Sequence, residues 1–309
     1  MYIEDRGEIF HTFYSIKYQY THSLKGEINS ALLRFDNSLN VFAPTSIISK
    51  VNDNTPVALD SFFTNVFARS QQISDVSGGL FDITVSPLIN AWGFGFKNIN
   101  NLTPEKIDSL RSLVGYKKIK LKNGKIEKEN KNVQINASAI AKGYACDVIG
   151  NLLEQNGVEN YMVEIGGEVR MKGINRKGHC WRIGINKPID DLSDMTNEIQ
   201  EVVSICDGAM ATSGNYRNYR VKDGKKYGHT IDPRTGSPTQ GSLLSVTIIA
   251  DDCMTADAYA TAFMVLGKEK AEKVAAELDE RFEYYMIYVD DDGYYAIAMS
   301  EGMTQYISE

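Results

Sequence analysis

Two segments near the start of the chain carry apolar residues at the spacing of an amphipathic helix. In residues 27–39 these are Ile28, Ala31, Leu32, Phe35 and Leu39. Residues 59–73 repeat the pattern. Because positions three and four apart share one face of a helix, both segments are predicted to be helices that pack against a core. Thr103 followed by Pro104 predicts a further helix start, and other helices are predicted over residues 140–154, 255–261 and 268–279.

Shorter runs rich in aromatic and β-branched residues predict strands between these helices. They cover residues 13–20, 161–165, 182–186, 202–207, 243–250, 284–289 and 294–299. Asn123-Gly124 and Asp223-Gly224 are typical hairpin turns, within residues 116–135 and 216–229. Since strands and helices do not alternate regularly, the fold class is predicted to be α+β, with mixed, largely antiparallel sheets packed against helices. We expect one domain over residues 1–309, with two intertwined α+β lobes as the alternative.

Composition narrows the class of protein. The chain has 309 residues, 43% of them apolar and 24% charged, with a net charge of −7. These values are ordinary for a globular enzyme, and the acidic balance argues against broad nucleic-acid binding. An anionic ligand would therefore need locally placed cations. The four cysteines are scattered without metal-site spacing, so each is predicted to be a reduced core residue.

Asp257 and Thr261 form the most informative local pattern. They lie four residues apart on one predicted helix face, among small residues that allow close approach. A carboxylate and a hydroxyl oxygen at this spacing suit a hard cation whose shell a phosphate completes. The alternative is an acid near the helix dipole beside a threonine without a special role.

Three other segments combine small residues with chemically active ones. Residues 137–145 open a helix with Lys142 in its first turns, which suits phosphate binding or, alternatively, plain packing. Residues 77–85 place a glycine pair before an aromatic residue and an aspartate; the nearby Trp92 is expected to pack in the core. His229 precedes an Asp-Pro-Arg-Thr-Gly turn and is either a base or a structural histidine.

Read together, the motifs resemble the ApbE family, the FAD:protein FMN transferases. They run in family order from about residue 10 to residue 267. The matching segments are G-G-x-F-D-x-T-V-x-P-L with W-G-F, A-I-A-K-G-Y-A-x-D, E-I-G-G-E, T-S-G-x-Y-R, H-x-I-D-P-R-T-G-x-P, and A-D-A-x-A-T-A with V-L-G. Several long motifs in one order are much more specific than any single motif. The resemblance implies an ApbE-like, T-fold-like architecture.

The resemblance also implies an activity. Such enzymes use Mg²⁺ to cleave the pyrophosphate of FAD, join FMN to a threonine or serine hydroxyl of an acceptor flavoprotein, and release AMP. Known acceptors include subunits of redox-driven ion pumps. The implied metal ligands are the side chains of Asp257 and Thr261 with the backbone carbonyl of Ala139, and the base is His229 or Asp257. The implied FAD contacts are Phe10, Phe42, Leu80, Phe81, Asp82, Asn136, Lys142 and Ile231.

The chain departs from the family pattern at two positions. Asn136 stands where an aspartate is usual, and His11 stands where glycine is common. These changes leave two alternatives open: an FAD-binding carrier without transfer activity, and an Mg²⁺-dependent FAD pyrophosphatase that releases FMN and AMP. No lipoprotein signal is recognisable, so the location stays open between the cytoplasm and a trimmed form of a membrane-anchored extracytoplasmic lipoprotein.

Overall fold

The computed structural model describes residues 1–95, 102–188, 198–215, 219–222 and 225–308. Its helices are α1 (Lys25–Leu39), α2 (Ile47–Asn52), α3 (Ser61–Val76), α4 (Ser86–Ala91), α5 (Pro104–Arg111), α6 (Ala141–Gln155), α7 (Cys253–Leu266) and α8 (Lys268–Ala276). The predicted helices are therefore confirmed within a few residues at each end. None of the helices in these ranges is both long and apolar enough to cross a membrane.

The strands form hairpins and one large sheet. They are β1 (Tyr2–Ile9), β2 (Thr12–Gln19), β3 (Ile119–Lys122), β4 (Lys125–Lys128), β5 (Tyr161–Ile165), β6 (Glu168–Lys172), β7 (Trp181–Asn186), β8 (Ile199–Ile205), β9 (Asp207–Gly214), β10 (Tyr219–Lys222), β11 (Lys225–Gly228), β12 (Ile231–Asp232), β13 (Ser237–Pro238), β14 (Leu243–Ala250), β15 (Phe282–Val289) and β16 (Tyr295–Met299). The Asn123-Gly124 turn between β3 and β4 is confirmed, and both residues have positive φ. The turn predicted at Asp223-Gly224 lies outside the described residues.

Eight strands pair in the order β1-β2-β5-β6-β9-β14-β15-β16. Every ladder between described strands is antiparallel, which confirms the predicted fold class. β1 was not predicted, because it is an edge strand whose sequence is mostly polar and in which a single residue, Asp5, is buried. Its pairing with β2 through the two-residue turn Phe10-His11 gives it a place in the sheet.

The sheet is covered on both faces. Helices α1, α3, α6 and α7 pack on one face in the larger apolar core. On the other face, the β7–β8 hairpin contributes Trp181 and Val203 to a second core. The central strand β14 serves both cores: Ile248 points into the first and Ile249 into the second. Both faces of β14 are therefore buried, which explains why apolar residues occur on both faces of this strand.

The structure corrects the prediction that all four cysteines are reduced. Cys180 and Cys206 form a disulfide, with their Cα atoms 4.5 Å apart. They flank the paired residues Trp181 and Ile205 of β7 and β8, so the antiparallel register brings them together. Cys146 and Cys253 are free and buried, as predicted.

Candidate functional site

A cleft of about 2240 Å³ collects most of the residues singled out from the sequence. Those that line it are Leu80, Phe81, Asp82, Asn136, Ala139, Lys142, His229, Ile231, Asp257 and Thr261. We call the part of the wall formed by residues 80–83, 136–142, 168 and 257–261 the carboxylate half. The part formed by residues 174–184 is the basic half. The two parts join along β6.

Phe10 and Phe42 do not line this cleft. The Phe10 ring packs against Phe35, with centroids 5.6 Å apart, and belongs to the larger core. Phe42 is 53% exposed and meets the edge of His11 at 5.8 Å. The structure therefore keeps this aromatic group apart from the other predicted site residues.

Helices α6 and α7 cap each other's first turns. The carboxylate of Asp147, in α6, accepts hydrogen bonds from the backbone N–H groups of Cys253 and Met254 at 2.9 and 2.8 Å. In return, Oδ2 of Asp257, in α7, accepts from the N–H of Gly143 at 2.9 Å. Acidic side chains at helix N-termini satisfy unpaired N–H groups and oppose the helix dipole. The reciprocal caps fix Asp257 relative to the start of α6.

Close packing between the two helices depends on Gly143. A Cβ at this position would lie 2.1 Å from the carbonyl oxygen of Cys253 and 2.7 Å from the Cβ of Asp257. Only glycine allows this approach. The small residues of the A-K-G-Y-A motif are therefore needed for packing, and that packing also brings Lys142 beside Asp257.

Lys142 and Glu168 form an ion pair in the carboxylate half. Nζ of Lys142 donates to Oε1 of Glu168 at 2.6 Å, and Glu168 is 4% exposed. Burial raises the pKa of Glu168 to about 7 against the lowering effect of Lys142, and the nearby Asp257 raises it further. Burial alone would lower the pKa of Lys142, but Glu168 and Asp257 together raise it. Burial also raises the pKa of Asp257.

The carboxylate half carries more negative than positive charge. Glu168 and Asp257 face one lysine, and Oε2 of Glu168 is buried without a hydrogen-bond partner. Thr261, one helical turn after Asp257, adds a hydroxyl that lies 3.1 Å from the hydroxyl of Ser213. Oxygen donors with an excess of negative charge fit a hard divalent cation. In the described part of the chain, no three His, Cys, Asp or Glu side chains cluster as a metal site, so a cation here would rely on other oxygens as well.

The glycine pair of residues 77–85 lies in a tight loop beside the cleft wall. Gly78 and Gly79 have φ values of 62° and 80°. The carboxylate of Asp82 is committed to this loop, because it accepts from the N–H and hydroxyl of Thr84 and from the N–H of Tyr116. Asp82 thus shapes the cleft wall through internal hydrogen bonds.

Asn136 holds the turn that leads into α6. Its side-chain oxygen accepts from both the N–H and the hydroxyl of Ser138, and its own N–H donates to the carbonyl of Ile83 at 2.7 Å. An aspartate would accept the same bonds. The asparagine therefore keeps the turn and removes one negative charge from the wall.

His229 and Trp92 differ in their relation to the cleft. His229 is partly buried, lines the cleft and meets the ring of Phe94 edge-on at 6.4 Å. Trp92 packs in a small apolar cluster and donates from Nε1 to the carbonyl of Gly236 at 2.8 Å. The expected packing role of Trp92 is confirmed.

Glu168 and Asp147 are the site residues that sequence reasoning missed. Glu168 lies in the E-I-G-G-E segment, for which a structural turn and a ligand contact were equally good interpretations and no side-chain role was predicted. Its partner Lys142 is 26 positions away, so local spacing gives no signal of the pair. Asp147 ends the A-I-A-K-G-Y-A-x-D motif, and only the packing of α6 on α7 reveals its role.

Known proteins resemble this chain in sequence and in fold. The sequence model of the ApbE family matches residues 10–286. A FAD:protein FMN transferase of Vibrio cholerae is 36% identical over 305 residues, covering 95% of this chain and 90% of the relative. One from Escherichia coli K12 is 35% identical over 280 residues, covering 88% and 78%.

Solved structures agree. The flavin transferase ApbE from Vibrio cholerae superposes with a TM-score of 0.89 at 34% identity, covering 99% of both chains. The ApbE protein from Thermotoga maritima gives 0.84 at 29% identity, covering 100% of both. By sequence over most of its length and by structure, the chain belongs to the ApbE family.

Proposed function

We propose that this protein is an FAD:protein FMN transferase. It takes FAD as its substrate, attaches the FMN part through a phosphoester to a threonine or serine of an acceptor flavoprotein, and releases AMP. The observation that carries the proposal is the meeting of Lys142, Asp257, Thr261 and the start of α6 in one cleft of an ApbE-family chain. This set suits phosphoryl transfer, which needs positioning and charge neutralisation more than covalent help.

The reaction balances with the groups available. The acceptor hydroxyl oxygen forms a bond to the FMN-side phosphorus, the bridging P–O bond of the pyrophosphate breaks, and AMP leaves with the electron pair. Lys142 offsets the negative charge of the pyrophosphate, and Glu168 holds its ammonium group in place. At the start of α6 the N–H groups of Ala141 and Gly143 already donate to Ala137 and Asp257, so the ammonium group of Lys142 is the phosphate contact that we assign to this helix.

The hydroxyl proton needs an acceptor, and we assign this role to His229. Asp257 was the other candidate, but its Oδ2 already accepts the N–H of Gly143. Its remaining oxygen is the one available to a cation. His229 lines the cleft, and imidazole is the side chain that most often serves as a general base.

Mg²⁺ is the cation that we propose for the carboxylate half. Asp257, Thr261 and the carbonyl of Ala139 would hold it, and the orphan oxygen of Glu168 adds negative charge nearby. When bound, the ion neutralises charge on the pyrophosphate. The buried side chains of Leu80 and Phe81 supply an apolar wall for the rings of FAD. The carboxylate of Asp82 is occupied by Thr84 and Tyr116, so we assign its contact with FAD to the backbone.

The first test is a flavin-fluorescence titration with FAD, with and without Mg²⁺, in which the same samples are assayed for AMP and FMN. One FAD per chain, with AMP released only when Mg²⁺ and a threonine-bearing acceptor are present, supports the transferase. Free FMN without an acceptor indicates a pyrophosphatase instead. Binding without products indicates a carrier.

Replacing Asp257 tests the cation site. The Asp257→Asn variant keeps the side-chain shape but loses the charge, so transfer should fall by at least about a hundredfold. Asp291→Asn is the matched control, because Asp291 is exposed and does not line the cleft. A turnover of Asp257→Asn close to that of the control would contradict the metal assignment.

A further inference from the structure

The cleft is larger than one small molecule requires. Its volume of about 2240 Å³ is more than twice the upper end of the range of roughly 300–1,000 Å³ for typical ligand pockets. The residues attributed to FAD and the cation lie in the carboxylate half or beside it, at His229 and Ile231. The basic half, residues 174–184, has no part in that assignment. Its chemistry is also different.

Residues 169–188 contain six lysines and arginines and no aspartate or glutamate, in a chain of net charge −7. Three of these cations are neutralised by ion pairs: Arg170 with Asp147 and Glu154, Lys172 with Glu154, and Lys187 with Glu198. The other three, Arg176, Lys177 and Arg182, are exposed and line the cleft. Within the described ranges, none of the three has a carboxylate partner.

The loop that carries Arg176 and Lys177 is fixed. The side chain of Asn175 accepts from the N–H of Lys177 and donates to the carbonyl of Cys180, each at 2.8 Å. The Cys180–Cys206 disulfide then anchors the loop to the end of β8. A held loop loses little conformational entropy when a partner binds.

Apolar side chains stand beside these cations. Phe13, Ile174 and Ile199 all line the cleft, with exposures of 72%, 42% and 54%. Among the described strands, β7 pairs only with β8, so its other edge has no strand partner. Apolar contacts, unpaired cations and a strand edge together match an extended polypeptide with acidic side chains.

The position of the basic half separates it from the reacting groups. β6 begins at Glu168 and runs to Lys172, just before the basic loop. At roughly 3.3 Å per residue, β6 ends about 13 Å from Glu168, and the basic loop follows it. A chain docked on the basic half could thus place a residue a few positions away in the carboxylate half.

We propose that the basic half, through Arg176, Lys177 and Arg182, docks an extended acidic segment of the acceptor protein beside its threonine or serine. The proposal rests on the transferase function. An acidic peptide fits better than a second nucleotide, because no helix N-terminus is present in residues 174–184 to bind phosphate. Docking here brings the acceptor hydroxyl to the edge of the carboxylate half, where FAD binds.

The test uses two short labelled peptides, one with a threonine flanked by aspartates and one with asparagines in their place. Their affinities are measured by fluorescence anisotropy for the wild type and for Arg176→Glu/Lys177→Glu. The double charge reversal should lower the affinity for the acidic peptide at least about tenfold and leave the affinity for the neutral peptide unchanged. The wild-type affinity for the acidic peptide should also fall as salt rises.

Lys120→Glu/Lys125→Glu is the matched control. Both lysines are exposed on the β3–β4 hairpin, have no ion pair among the described residues and do not line the cleft, and the net charge changes equally. Its peptide affinities should match the wild type. Arg182→Glu, on β7, should independently weaken the acidic peptide. Equal affinity of wild type and Arg176→Glu/Lys177→Glu for the acidic peptide would overturn the proposal.

FAD affinity separates this proposal from the transferase function. The charge-reversed protein should bind FAD within about twofold of wild type. If FAD binding weakens as much as peptide binding, the basic half binds the nucleotide and the docking proposal is wrong. If peptide binding depends on the basic half but no FMN is transferred, the docking proposal is supported and the proposed transferase function is wrong.

Discussion

The two halves of the cleft are held by different forces. The carboxylate half is built mainly on α6 and α7. These helices cap each other and make a close contact at Gly143, inside the larger core. The basic half stands on the β7–β8 hairpin, outside the eight-stranded sheet, and a disulfide closes its base. The first half is positioned by helix packing in the larger core, whereas the second combines a smaller core under the hairpin with a disulfide.

The charged groups of the two halves also differ in their exposure to water. Glu168 and Asp257 are buried, and burial raises the pKa of both carboxyl groups. The cations of the basic half are exposed, so salt screens them. Proton or metal binding should therefore control the first half and ionic strength the second. Substitutions that disturb one half without the other test this division.

The largest effect is expected at Gly143. Gly143→Ala places a Cβ against the backbone of Cys253, which cannot move without separating α6 from α7. We expect a loss of about 4 kcal/mol in the free energy of unfolding, with loss of FAD binding. Urea denaturation and flavin titration measure the two effects.

Gly26→Ala is the control for this change. Gly26 lies in α1, where a Cβ would meet no atom within 4 Å. Alanine should stabilise the helix here by up to about 1 kcal/mol. If both alanine variants were equally stable, close contact at Gly143 would not hold the carboxylate half.

A smaller effect is expected from the disulfide. Cys180 and Cys206 are separated by 26 positions, and opening a loop of that size costs about 3.5 kcal/mol. The Cys180→Ser/Cys206→Ser variant should lose about this much stability and bind the acidic peptide more weakly, while its FAD affinity stays within about twofold. Thermal unfolding and the two binding assays check this.

Reducing agent supplies the control. It should lower the stability of the wild type to that of the double serine variant and leave the variant unchanged. A matching loss of FAD affinity would show that the disulfide also supports the carboxylate half, which would contradict the division.

Local pattern predicted the parts of this molecule that depend on near neighbours. The spacing of Asp257 and Thr261 placed both in one cleft wall, and helical periodicity located α1 and α3. Turn chemistry located the Asn123-Gly124 hairpin. In each case the interaction joins residues a few positions apart.

Pairings across the fold were not predictable in this way. The caps from Asp147 to α7, the Lys142–Glu168 ion pair and the disulfide join distant segments. Each requires knowledge of how strands and helices pack. The basic segment, residues 169–188, was not singled out from the sequence, and which of its cations lack partners follows only from the fold.

The smallest effect concerns Glu168 and pH. Its pKa is about 7 in the folded, metal-free protein, against the ordinary value of 4.5. A proton on Glu168 therefore stabilises the fold fully below about pH 4.5, and this contribution is lost as the pH rises through about 7. The difference amounts to up to about 3 kcal/mol.

Glu168→Gln cannot titrate, so its free energy of unfolding should lack this dependence. The free energy of unfolding of each protein is measured with a chelator between pH 4 and pH 8. The wild-type value minus the variant value should decline with rising pH. Mg²⁺ above pH 7 should restore part of the lost stability to the wild type, because a cation can replace the proton's charge. A wild-type curve parallel to that of the variant would mean that folding does not change the pKa of Glu168. The carboxylate half would then hold its excess charge without help from a proton.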